Sequence, residues 1–261
     1  RVTGGEPILH RDMFKVLDYI IENPKVNPMI EMSVNSNLCA PQDKVEEFID
    51  KVKFITENDL VWNFALFTSI ESWGEHAEYM RDGMDTKRFW NNLDMFLTKC
   101  EKPEATIMAT YNLTSVPTYD EVIKRVFEIK KEHYNGKRYR HYSVILDTSY
   151  LRQPEFLQIR LLSTRWIDKI RQDVDLMESL SEEKYTHIYG HGHCGFYDFE
   201  REKLRRLLDW VDAPLDDVNW LIKMRKDFVL FIDEYDKRRG KNFKETFPEM
   251  IDFYDMCKGL L

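Results

Sequence analysis

Paired cysteines, long apolar runs and a surplus of basic charge are all missing from this chain, and each absence removes a class of protein. The four cysteines, Cys39, Cys100, Cys194 and Cys257, are scattered through 261 residues with no paired spacing. That spacing excludes a disulfide scaffold and fits a reducing, cytoplasmic setting. No apolar run approaches the roughly 20 residues that a membrane-spanning helix requires, and no leader has the pattern of a signal peptide. The formal net charge is −8. Proteins that bind nucleic acid or membrane surfaces in general carry a basic face that neutralises phosphates, so neither partner is expected here.

What remains is the composition of a globular α/β protein, 43% hydrophobic and 32% charged, with 16 Phe, 13 Tyr and 6 Trp for an aromatic-rich core. Strand and helix signals alternate along the chain. Residues 29–37 read as a strand ending in small polar residues, and Pro41 and Asp43 open a helix with apolar residues at Val45, Phe48, Ile49 and Val52. The nearly continuous apolar run 60–69 suits a strand buried on both faces. A polar loop is expected from Ile70 to Asp85 and a helix around Phe89 to Leu97. A strand is expected at 106–112, a helix from Tyr119 to Ile129, a turn at Asn135-Gly136 and a strand at 142–147. Such alternation predicts a parallel sheet with crossover helices, curled as a barrel or part of one. Beyond it come helices at 166–180, 198–210 and 218–235, the last stopped by Gly240, and a final helix through Cys257.

The opening stretch Arg1-Val2-Thr3-Gly4-Gly5-Glu6-Pro7-Ile8-Leu9-His10 organises the rest. It reads as a strand end, a tight glycine turn and a helix beginning near Asp12. Adjacent glycines allow backbone dihedrals closed to other residues and a close approach to a ligand. Glu6 then stands at the carboxyl end of a strand, where α/β proteins place their ligands, and a carboxylate there suits a cationic group such as an ammonium.

Thr3-Gly4-Gly5-Glu6-Pro7 resembles the Gly-Gly-Glu-Pro motif at the end of the second barrel strand in radical S-adenosylmethionine (SAM) enzymes. The stretch Ser69-Ile70-Glu71-Ser72, with His76 and Arg81 behind it, resembles that family's fourth-strand pattern. The resemblance implies a partial TIM-like (β/α)6 radical SAM barrel over residues 1–162, lacking its first strand, and a helical C-terminal segment over 163–261. It implies SAM as cofactor: Gly4, Gly5 and Glu6 at its amino group, Ser69 and Arg81 at its ribose and carboxylate, and Ser33, Asn35, Glu71 and Asn112 in the pocket. A guanidinium matches a carboxylate as a two-pronged donor. Glu71 and Ser72 depart from the family's Asp and Gly.

The resemblance further implies a 4Fe-4S cluster, a 5′-deoxyadenosyl radical, an electron donor and a substrate that is a peptide, a nucleotide or a small metabolite. Such clusters need closely spaced cysteines, and this chain has none, so it reads as a fragment whose cluster loop lies upstream of Arg1. The tail around Tyr235 to Gly240 and Phe247 to Glu249 resembles phage-type radical SAM proteins with a twitch domain. Two other readings stand beside this one. A degenerate barrel would serve as a non-catalytic binding or scaffold module, and His187, His191, His193 and Cys194 offer imidazole and thiolate ligands for a metal.

Overall fold

The computed structural model describes residues 1–24, 29–100, 102–133, 144–181, 194–215 and 217–261. Its centre is a parallel sheet of β1 (Glu31–Asn35), β2 (Asn63–Ser69), β3 (Glu104–Tyr111) and β4 (Val144–Tyr150), in that spatial order. Val2 adds a one-residue parallel bridge to Val34 outside β1, its N–H donating to the Ser33 carbonyl at 2.7 Å and its carbonyl accepting from the Asn35 N–H at 3.0 Å. The chain is therefore α/β, and the Gly4-Gly5 corner leaves the sheet at the same end as β1.

Helices α1 (Arg11–Glu22), α2 (Gln42–Glu57), α4 (Thr86–Lys99) and α5 (Tyr119–Glu132) intervene between the strands, with the short α3 (Gly74–Met80) preceding α4. The expected periodicity of α2 holds, and Val45, Phe48, Ile49 and Val52 are fully buried. α3 lies inside the stretch expected to be a polar loop. Its seven residues carry too little periodicity to register as a helix, and it is held by tertiary contacts that bury Ala77 and Tyr79.

Each strand presents one fully buried face. Met32, Val34, Phe64, Leu66, Ala105, Ile107, Val144 and Leu146 all belong to it. The alternate positions Ser33 and Asn35 on β1, Ala65, Phe67 and Ser69 on β2, Met108 and Thr110 on β3, and Ile145 and Asp147 on β4 remain partly exposed. This corrects the expectation that β2 is buried on both faces: its residues alternate between buried and part-exposed. The apolar run is continuous because Phe67, on the open side, lies under the Arg1 guanidinium, 4.5 Å from its ring centroid. Arg1 also donates from Nε to Asn35 Oδ1 at 2.9 Å and reaches Met108 Sδ at 3.9 Å, so one side chain crosses three neighbouring strands on that face.

The C-terminal segment is knit to the sheet. It contains α6 (Thr164–Ser179), α7 (Asp198–Asp212), α8 (Val218–Arg239), the short α9 (Phe243–Thr246) and α10 (Ile251–Lys258). A terminal strand exposes unpaired N–H groups that invite another chain. Here Glu200 of α7 covers that edge, accepting from the Leu146 N–H of β4 at 2.7 Å. Glu200 is fully buried and also accepts from the Tyr197 N–H at 2.8 Å and from Lys130 Nζ at 2.9 Å. α8 stops where expected, with Gly240 in the left-handed conformation at φ 61°. The Asn135-Gly136 turn and the constellation of His187, His191 and His193 lie outside the described residues.

Candidate functional site at the carboxyl rim

The glycine corner has the geometry its sequence implies. Gly4 (φ 101°) and Gly5 (φ 55°) both occupy the left-handed region, which side chains with a Cβ avoid at a penalty of about 1–2 kcal/mol. The space a Cβ would fill at Gly4 is empty to 4 Å, and at Gly5 only the His10 ring comes near, at 3.7 Å. The backbone there is open to solvent and free of side-chain cover.

Glu6 turns inward from this corner. Its Oε1 accepts from the Ile8 N–H at 3.2 Å, capping a one-turn helix (Pro7–Leu9), and its Oε2 accepts from the Asn37 N–H at 2.7 Å. The second bond ties the corner to the exit of β1. There Ser36 Oγ accepts from the Leu38 N–H at 2.9 Å and Asn37 Oδ1 from the Cys39 N–H at 2.8 Å, while Leu38 takes a left-handed φ of 56°. A carboxylate has about four lone-pair positions, so Glu6 retains acceptor capacity beside these two bonds.

Arg81 follows α3 and meets Glu71 just past the end of β2. Its Nε donates to Glu71 Oε2 at 2.5 Å and its Nη2 to Glu71 Oε1, a two-pronged pair. Burial opposes the Arg81 charge, but hydrogen bonding and attraction to Glu71 outweigh it and hold the guanidinium above its ordinary range. Cys39 stands in the turn after β1, its N–H donating to Asn37 Oδ1. Burial pushes the Cys39 thiol up, and its Sγ donates to the Asp85 carbonyl at 3.4 Å. Gly5, Glu6, Cys39, Glu71 and Arg81 thus share the carboxyl ends of the Val2 bridge, β1 and β2.

The remaining expected residues divide. Ser33, Asn35 and Ser69 occupy the part-exposed face of the sheet, and Asn35 accepts from Arg1. Asn112 does not join them in an open pocket. It is buried in the turn after β3, its Oδ1 accepting from the Thr114 N–H at 3.0 Å and the Thr114 hydroxyl at 2.7 Å, and its amide donating to the Thr110 carbonyl at 3.0 Å. An Asn at a strand exit reads equally as ligand or turn former, because its side chain mimics backbone.

The position of Arg81 depends on long-range contacts that the sequence patterns did not reveal. Tyr79 donates to Asp236 Oδ1 at 2.6 Å, and Tyr235 donates back to the Tyr79 carbonyl at 2.7 Å. Lys241 donates to the Glu78 and Tyr79 carbonyls at 2.6 and 2.9 Å, and His76 meets Glu249 at 2.6 Å with its ring edge-on to Phe247. The C-terminal helices therefore clamp α3, and through it the arginine. These contacts span more than 150 residues, which no local pattern can reveal.

The described residues do not fit a 4Fe-4S cluster. Cys100 hydrogen-bonds toward the Ile49 carbonyl in the core, Cys194 and Cys257 are buried elsewhere, and burial pushes the Cys100 thiol up to about 12 and Cys257 up to about 11. A cluster needs thiolates gathered at one point. Asp94, within α4, and Glu132 and His133, at the end of α5, bring ligand atoms within 4.8 Å of one another. Each already has a protein partner: His133 meets Asp94 at 2.8 Å and Glu132 pairs with Arg125 at 3.3 Å.

No helix among the described residues is long and apolar enough to cross a membrane. No family model, no curated protein and no solved structure matches this chain.

Proposed function

We propose that this chain is the SAM-binding portion of a radical SAM-type partial barrel. The carrying observation is that the left-handed Gly4-Gly5 corner with Glu6, and the Arg81 guanidinium with Glu71, stand at one rim of a parallel sheet whose adjacent face carries Ser33, Asn35 and Ser69. SAM is a zwitterion, with an ammonium and a carboxylate on one carbon. A carboxylate and a bare backbone corner on one side and a guanidinium on the other are the complementary set. The sequential strand order and the single well-covered face support a sheet curled around that open side.

In this reading Glu6 and the Gly4 and Gly5 backbone orient the amino group, Arg81 orients the carboxylate, and Ser69 and Asn35 meet the ribose. When bound, a cluster would supply the electron that cleaves SAM. Its ligands are not among the described residues, and no step is assigned to it in this chain.

A second reading, a binding module without redox chemistry, has its own support. Glu6 and Arg81 both have protein partners already, and the four cysteines are dispersed. Calorimetric titration with SAM tests the site itself. The wild-type chain is expected to bind, and Glu6→Gln and Arg81→Ala each to weaken affinity by roughly 1.5–3 kcal/mol, the range for hydrogen bonds to charged groups. Affinity unchanged in both variants would remove the assignment. Binding without 5′-deoxyadenosine formation by the full-length protein, reconstituted anaerobically with iron and sulfide and then reduced, would favour the second reading.

A further inference from the structure

A second cleft opens at the far side of the sheet, where the chain leaves β4. It has a volume of about 620 Å³, inside the ~300–1,000 Å³ range of small-molecule sites. Its walls come from the β4 exit (Tyr150, Arg152), the following turns (Arg160), the end of α7 (Trp210) and the start of α8 (Trp220). Aromatic faces and guanidiniums dominate its chemistry. Trp210 packs on Tyr150 with centroids 4.6 Å apart, and the Arg152 guanidinium lies 5.1 Å from the Tyr150 ring centre.

Two acidic residues also line the cleft, and both are committed to holding Trp220. Glu155 accepts from Trp220 Nε1 at 3.0 Å, and Asp217 caps α8 by accepting from the Trp220 N–H at 2.9 Å. The arginines, by contrast, have no carboxylate partner among the described residues. Arg152 donates to the Tyr150 hydroxyl at 2.6 Å, and Arg160 to the Ala213 and Pro214 carbonyls at 3.1 and 2.9 Å. In a chain where most described cations pair with an acid, these two guanidiniums have only neutral acceptors and stand beside two indoles, with the cleft's two carboxylates turned to Trp220. Guanidinium suits phosphate as a planar fork, and base stacking on an aromatic face contributes wherever a flat ring can lie against it.

We infer that this cleft binds a nucleoside monophosphate, its base against the indoles and its phosphate on Arg152 and Arg160. The inference is independent of the SAM assignment, because the cleft stands at β4 and the glycine corner at the opposite edge of the sheet.

The test is a calorimetric and tryptophan-fluorescence titration of the chain with AMP, and with adenosine and inorganic phosphate as half-ligands. AMP is expected to bind at least tenfold more tightly than either half. Arg152→Ala and Arg160→Ala are each expected to weaken AMP about tenfold or more, consistent with loss of a charge-assisted hydrogen bond, with adenosine affinity unchanged. Arg152 is exposed, so its variant is expected to keep the wild-type circular dichroism spectrum. Trp210→Phe should weaken AMP and adenosine alike. Glu6→Gln should leave AMP affinity untouched. Absence of saturable binding at millimolar AMP, wild-type affinity in both arginine variants, or loss of AMP binding in Glu6→Gln would overturn the assignment.

Discussion

The buried carboxyl of Asp173 is expected to contribute a pH dependence of stability opposite in sign to that of an ordinary paired carboxylate. Asp173 of α6 is fully buried beneath the carboxyl end of β3, accepting from the Tyr111 hydroxyl at 2.9 Å and from Lys169 Nζ at 2.9 Å. Lys169 is shared with Asp120 at 2.8 Å. Desolvation raises the Asp173 carboxyl and attraction to Lys169 lowers it, and desolvation wins: it is pushed up to about 6 from an ordinary 3.8.

A carboxyl that holds its proton more tightly in the folded state stabilises the fold below the unfolded value, and that stability is lost as pH rises through the folded value. Between pH ~4 and ~6 the loss is about 3 kcal/mol, at 1.36 kcal/mol per pH unit, with no further change above. Other carboxylates, such as Asp12 and Asp120, are shifted down and pull the other way, so the measurement is a difference. Urea unfolding of wild type and Asp173→Asn at several pH values should show the variant gaining about 3 kcal/mol on wild type from pH 3.5 to 7, most of it between pH 4 and 6. A constant difference, or wild type gaining on the variant as pH rises, would mean the Lys169 ammonium outweighs burial and would refute the reasoning.

Three further outcomes follow from the same structure. Lys130→Met removes the cation paired with the fully buried Glu200, whose carboxyl burial already pushes up, and should cost about 3–5 kcal/mol in urea unfolding. The double variant Lys130→Met/Glu200→Gln should recover much of that loss, because a Gln oxygen can still accept from the Leu146 N–H. Gly4→Ala should destabilise by about 1–2 kcal/mol through its left-handed backbone alone, since nothing lies within 4 Å of the added methyl. Tyr79→Phe removes the donor to Asp236 and should lower stability by about 1–3 kcal/mol while weakening SAM in calorimetry, because it frees the helix that precedes Arg81. Equal SAM affinity in that variant would separate the clamp from the site.

Much of this molecule was legible in one dimension. Hydrophobic period fixed the four strands and the main helices to within a few residues, because a parallel sheet flanked by amphipathic helices writes its burial directly into sequence. Gly4-Gly5 and Gly240 announced their left-handed turns, since few other residues tolerate that backbone. α3 escaped notice because seven residues make less than two full turns, too few for a period. The open face of β2 escaped because a Phe beneath an arginine looks, in sequence, like any core aromatic. Asn112 was ambiguous because one side chain can serve a ligand or its own turn.

Sequence by itself therefore determined the class of fold, the order of its elements and the position of the glycine corner, all of which follow from local stereochemistry and the burial of apolar side chains. Tertiary structure alone decided which charges meet. Glu6 reaches the Asn37 N–H, Glu71 embraces Arg81, and residues near 236 and 249 hold the helix before that arginine. Hydrogen bonds and ion pairs act over a few ångströms, and only the folded chain brings such distant groups that close.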